Sequence, residues 1–179
     1  IIHHINSLLP FDIAVKNILP VINNAHARFD ARNRSYEYII HQHKNPLLFQ
    51  RSYYFPYLID WDILQKTARY ILAQTEFIGF SKLHTQVNNF HCQILKSQWS
   101  YDKEQQVFKY DIVANRFLRG MVKALVATQL EVASHKLSMQ ALEALFQNPL
   151  PAKGKFNAPS YGLYLTNITY PKEIFTSMA

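Results

Sequence analysis

Cysteine occurs once, at Cys92, and glycine only four times in 179 residues. A single thiol excludes an internal disulfide and any zinc site built on several cysteines, and it fits a reducing compartment, for which the cytoplasm is the default. Four scattered glycines form neither a dinucleotide fingerprint nor a nucleotide-triphosphate loop, so nucleotide cofactors are not expected. A nucleophile elbow and a zinc-protease motif are missing as well. No apolar run is long enough to cross a bilayer, and Ile1-Ile2-His3-His4 has neither the basic nor the long hydrophobic region of a signal peptide. The chain opens without methionine inside an apolar pattern, Ile1-Ile2, Ile5, Leu8-Leu9. The expectation is a helix whose beginning lies upstream, in a longer protein.

What is present is 49% hydrophobic and 17% charged, enough to bury one sizeable core. Nineteen Lys and Arg against twelve Asp and Glu give a formal charge of +7, which permits association with polyanions through phosphate contacts and does not by itself establish it.

Pro10 ends the first helix, because proline lacks the amide donor and restricts the residue before it. A short strand is expected near Ile13 to Ile18. Over Arg34 to His41, Tyr36, Tyr38 and Ile40 alternate with Ser35, Glu37 and Ile39, the period-two signature of a strand, and both tyrosines fall on one face. Asp60 is placed to cap a helix over Trp61 to Ala73. Strands at Cys92 to Tyr101 and Val107 to Val113 flank a polar five-residue loop, Asp102 to Gln106, and predict a hairpin.

A helix is expected over Phe117 to Ala133, with Leu118, Met121, Val122, Leu125, Val126 and Leu130 in one apolar arc. Arg116, Arg119 and Lys123 then form a basic stripe opposite, at i, i+3 and i+7. Ser138 caps a short helix to Phe146, and a strand over Gly162 to Tyr170 stops at Pro171. With no internal repeat, the pattern predicts an α+β fold, a mainly antiparallel sheet with flanking helices.

Taken residue by residue, the chemistry stays open. His41 and His43 share a face of their strand, but zinc needs a third ligand and the sequence offers only scattered candidates such as His3, His4 and His91, so no metal is assigned. Asp60 and Asp62 suit a helix start better than paired-carboxylate catalysis, and Cys92 suits packing. The basic stripe fits a solvated helix face or a phosphate-contacting surface equally, and Tyr36 and Tyr38, taken alone, suit a core better than a site.

Three stretches together resemble the TruA family of tRNA pseudouridine synthases. His26-Ala27-Arg28-Phe29-Asp30-Ala31, followed by Arg34-Ser35-Tyr36-Glu37-Tyr38-Ile39-Ile40, is similar to the family's His-Ala-Arg-Phe segment and Arg-x-Tyr-x-Tyr strand. Asn115 to Lys123 is similar to its Phe-Leu-x-x-Met-Val-Arg helix, and Gly162-Leu163-Tyr164-Leu165 to its final Gly-Leu-x-Leu strand. Asn6 to Pro10 and Glu76 to Phe80 follow in the same order, so the resemblance covers essentially the whole chain.

The resemblance implies the C-terminal half of an isomerase that converts uridine to pseudouridine in the anticodon stem-loop of tRNA, as a homodimer and without metal or organic cofactor. Tyr36 then matches the tyrosine that stacks on the flipped uracil, Lys123 the cation that pairs with the catalytic carboxylate, and Leu163 the apolar wall of the pocket. Ala25, His26, Ala27, Arg28 and Phe29 would line the RNA, with Arg28 helping to extrude the base. His84, Thr85, Gln86, Val87 and Asn88 stand where a tRNA-contacting segment falls, while Arg116 and Arg119 suit phosphates by charge.

The family's nucleophile lies in an Arg-Thr-Asp-Ala-Gly segment upstream of the Asn6 stretch, and these 179 residues contain none. They are therefore expected to be inactive alone. Lys123 stands where arginine is common, replacing a planar fork with a point charge. The rival from another class is a non-catalytic RNA-binding module related to these synthases.

Overall fold

The computed structural model describes residues 1–82, 89–150 and 157–176. They fall into two compact units, Ile1–Ala31 with Tyr170–Ala179, and Arg32–Thr169.

The second unit is built on β1 (Asn33–His41), which has neighbours on both edges. β4 (Val107–Ala114) runs antiparallel along one edge and carries β3 (Ile94–Asp102) outside it. The other edge is shared: β5 (Leu163–Thr169) pairs antiparallel with Asn33 to Tyr38, and the two-residue β2 (Tyr53–Tyr54) pairs parallel with Ile40 and His41. The fold is the expected α+β with a mainly antiparallel sheet. Only β2 was absent from the sequence pattern, because two residues show no periodicity.

The sheet's alternation decides where the core lies. Tyr38, Ile40, Trp99, Tyr110 and Ile112 are fully or almost fully buried on one face, and α2 (Trp61–Leu72) and α3 (Met121–Ala133) complete that core. α4 (Met139–Gln147) adds Leu142 and Phe146, whose ring meets those of Phe77 and Phe80. Side-chain caps set α2 and α4: Asp60 Oδ1 accepts from the Ile63 amide at 3.0 Å, and Ser138 Oγ from the Ala141 amide at 3.1 Å.

α3 departs from expectation. Gly120 adopts φ 80 at its N-cap, so the helix begins at Met121 and Arg116 to Arg119 precede it in a turn. There is consequently no helical stripe of Arg116, Arg119 and Lys123. Every α3 residue except Lys123 and Glu131 is buried, as befits a helix that is apolar all round.

The one polar network in its middle is satisfied. The Trp99 indole nitrogen donates to Gln129 Oε1 at 2.9 Å, the Thr67 hydroxyl lies 3.2 Å from the same oxygen, and the Ser97 and Tyr110 hydroxyls share a 2.7 Å hydrogen bond. Gln129 thereby joins α3 to β3 and α2.

Other boundaries moved for local reasons. Asp102 is the last residue of β3, paired with Val107, and its Oδ1 accepts from the Glu104 and Gln105 amides, so the hairpin loop is Lys103 to Gln106 and not five residues. Cys92 lies before β3 and not within a strand, its amide bonded to the Thr75 carbonyl.

In the first unit, α1 (Ile2–Leu8) stops before Pro10. The strand expected over Ile13 to Ile18 does not form. No strand pairs with it, and Asn6 takes up the Val15 backbone instead, donating to its carbonyl at 2.8 Å and accepting from its amide at 2.7 Å.

Replacing Gln129 by Leu removes the buried acceptor of the Trp99 N–H. Urea unfolding of the variant should show a loss of about 1–3 kcal/mol, and an unchanged midpoint would show that the network carries no stability.

Candidate active site

Tyr36 and Tyr38 share a face of β1, yet their surroundings differ. Tyr38 is fully buried, its hydroxyl donates to the Pro159 carbonyl at 2.7 Å, and its pKa is raised by burial first and then by Tyr53 and Tyr161. It is a structural, neutral phenol. Tyr36 is half-buried at the margin of the core, opposite Ile112 on β4 and Leu165 on β5. The Phe117 ring stands edge-on to it at 5.1 Å and 89°, which leaves a rigid aromatic with part of its surface open.

Phe117 is delivered by the turn before α3. That turn is fastened by Asn115, whose carbonyl accepts from Arg34 Nη1 at 2.7 Å and whose Oδ1 accepts from the Gln93 amide at 2.9 Å. The Arg119 carbonyl accepts from the Lys82 amide at 3.1 Å.

The approach of the last strand is equally constrained. A Cβ on Gly162 would lie 2.9 Å from Tyr38 Cζ and 3.0 Å from the Ile39 carbonyl, so only glycine fits without displacement. The Gly162 carbonyl accepts from the Ile39 amide at 2.9 Å, and the Ser160 carbonyl from the Leu163 amide at 3.0 Å. Leu163, half-buried, then faces Tyr38 across the strand pair.

Lys123 sits in the first turn of α3 and its Nζ donates to Ser160 Oγ at 3.0 Å. Tyr36, Leu163 and Lys123 are thus tied to one strand pair, β1 with β5, and the turn that enters it. Burial lowers the Lys123 pKa, and the nearby Lys82 lowers it further.

Of the other expected residues, Ala25, His26, Ala27, Arg28 and Phe29 belong to the first unit, where they form a closed turn. Asp30 Oδ2 accepts from the His26 amide at 2.6 Å, and His26 Nδ1 accepts from the Arg28 and Phe29 amides at 3.1 and 3.2 Å. The turn presents Phe29, 74% exposed, with the Arg28 guanidinium 5.7 Å over its ring. Arg119 is exposed and Arg116 half-buried in the turn before α3. His84, Thr85, Gln86, Val87 and Asn88 lie outside the described residues.

His41 and His43 do not form a pair on one strand face. β1 ends at His41, which is buried with Nδ1 2.9 Å from Ser52 Oγ, while His43 is exposed beyond the strand end. Cys92 is pushed up to about 11 by burial, with Arg116 opposing and Glu76 adding to the rise, so its thiol is inert. An open cavity of about 650 Å³ lies at the far end of β1, lined by His41, Lys44, Phe49, Ser52, Tyr54 and Tyr161. His41 is odd in the alternation and Tyr36 even, which puts that cavity on the other sheet face.

Sequence reasoning missed Ser160, which no pattern singles out. It also missed the aromatic service of Phe117, which the quoted motif contains but which a helical reading of that turn conceals.

The arrangement offers a half-open aromatic ring and an ammonium, and its described residues include no activated nucleophile. Residues 73–171 match the family model described as tRNA pseudouridine synthase. The chain is 38% identical over 175 residues to tRNA pseudouridine synthase A of Parabacteroides distasonis, covering 96% of the chain and 67% of that relative. It is 38% identical over 171 residues to the protein of the same name from Bacteroides fragilis (96% and 68%), and 36% over 173 residues to that of Bacteroides thetaiotaomicron (96% and 64%). The chain spans about two thirds of the length of these relatives. It belongs to the tRNA pseudouridine synthase family, a family of isomerases.

Gly162→Ala forces a methyl group against Tyr38. The expected cost is about 1–3 kcal/mol in denaturant unfolding, and a variant as stable as the parent would show that β5 can move away freely.

Proposed function

We propose that the complete protein is a cytoplasmic, homodimeric tRNA pseudouridine synthase acting on uridines of the anticodon stem-loop, and that this chain supplies the aromatic, apolar and cationic parts of its site. The observation that carries the reading is the placement of Tyr36 and Lys123 about one strand pair, the first by Phe117 and the second by Ser160. Among the described residues no helix is long and apolar enough to cross a membrane.

Isomerisation breaks the bond from ribose C1′ to uracil N1, forms one from C1′ to C5, releases the C5 proton and leaves N1 to take up a proton in its place. No net oxidation occurs, so residues alone can suffice. The base must leave the stack to react, and the half-open Tyr36 ring offers a face on which it can rest, with Leu163 as apolar wall. The Tyr36 hydroxyl is a candidate for moving the C5 proton. Lys123 keeps a neighbouring carboxylate ionised by its charge. Ala25 to Phe29 offer an exposed aromatic and a guanidinium to RNA, His84 to Asn88 are assigned to the same task by resemblance, and Arg116 and Arg119 supply charge for phosphates.

The complete protein should release tritium from tRNA labelled at uridine C5, and its failure to do so overturns the reading. These 179 residues alone, which hold no Arg-Thr-Asp-Ala-Gly segment, should release none. Tyr36→Phe should slow turnover by about 100-fold or more while tRNA binding is kept; unchanged turnover removes Tyr36 from the chemistry.

The lowered Lys123 pKa gives a pH signature. Burial and Lys82 ease loss of the ammonium proton while the carboxylate it pairs with opposes that loss, and activity that needs the cation declines wherever the proton leaves. Arginine does not titrate there. Lys123→Arg should therefore move the alkaline limb of kcat/KM upward, whereas an unmoved limb would assign it to another group.

A further inference from the structure

Lys82 belongs to none of the motifs above, yet the fold positions it closely. Its amide is bonded to the Arg119 carbonyl at 3.1 Å, and its side chain lies across Gly120. A Cβ at that glycine would stand 3.1 Å from Lys82 Cγ, 3.3 Å from Cε and 3.4 Å from Cδ, so the missing side chain makes the groove in which the lysine stem rests. Gly120 also holds φ 80, a conformation that other residues rarely adopt. One glycine therefore both starts α3 and seats Lys82.

Lys123 follows Gly120 by three residues, which puts it on the same side of the helix start. The two ammonium groups repel, and Lys82 is the second cause of the lowered Lys123 pKa. Among the described residues neither lysine has a carboxylate partner. Lys123 is already assigned to a carboxylate of the complete protein, so Lys82 is the member of the pair for which the described residues hold no counter-charge, and it forms a place for a second anion. The pair is graded: Lys123 is half-buried and fixed to Ser160, while Lys82 is exposed at the rim. On the synthase reading, a flipped base carries a flanking sugar-phosphate chain that stays outside the pocket, and an exposed ammonium is suited to meet it.

We infer that Lys82 is a substrate-binding residue which, seated across Gly120 beside Lys123, takes a backbone phosphate next to the flipped uridine. The inference rests on the synthase reading for the identity of the RNA, and on the Gly120 groove for the position of the charge.

The test compares the complete wild-type protein with Lys82→Gln and Lys82→Arg, measuring tRNA affinity over a salt series and, separately, kcat and KM. Lys82→Gln should flatten the slope of log affinity against log salt by about 0.7–0.9, the value of one phosphate contact. It should raise KM several-fold and leave kcat nearly unchanged, and Lys82→Arg should restore the slope. Gly120→Ala, which displaces the stem, should flatten the slope as Lys82→Gln does. An unchanged slope and KM in Lys82→Gln would overturn the inference, as would a fall in kcat with the slope intact, which would assign Lys82 to a carboxylate. A flattened slope in Lys82→Gln, together with a wild-type protein that shows no turnover, would sink the synthase reading and leave the phosphate contact standing.

Discussion

The contact on which the site depends is that of Gly162 with the Tyr38 ring. Because no side chain intervenes, β5 can lie against β1 with the Gly162 carbonyl bonded to the Ile39 amide and the Pro159 carbonyl to the Tyr38 hydroxyl. That placement sets Ser160 within 3.0 Å of the Lys123 ammonium and puts Leu163 and Leu165 opposite Tyr38 and Tyr36. A buried phenol serves as anchor so that a second, two residues earlier, can remain half open. The division of labour comes from depth along one strand and not from residue type.

Electrostatics show the same compromise. A lysine held in a partly desolvated position is worse off as a cation than one in water, and bringing Lys82 near adds repulsion. In a fold selected for stability alone such a pair would be replaced. Its presence in a chain of net charge +7 is the pattern expected where an anionic partner supplies the missing charge.

Much of this was legible in the residues. The alternation of Tyr36, Tyr38 and Ile40 located β1 and its core face, because a period of two survives without tertiary information, and Asp60 and Ser138 marked their helix starts by local hydrogen bonds. The failures are equally physical. Ile13 to Ile18 has strand-forming residues, but a strand needs a partner and Asn6 takes the backbone instead. The helix over Phe117 to Ala133 fitted the apolar period, and one left-handed glycine removed its first turn and with it the basic stripe. Gln129 and Ser160 acquire meaning only from residues far away in sequence, Trp99 and Lys123, which no local pattern reveals.

The central claim, that the open Tyr36 ring receives the reacting base, is tested most directly by photo-cross-linking. The complete protein would be bound to tRNA carrying 5-iodouridine at the anticodon stem-loop and irradiated, and the labelled peptide sequenced. The account predicts that the label falls on Tyr36. Labelling confined to other aromatic residues, with none on β1, would contradict it.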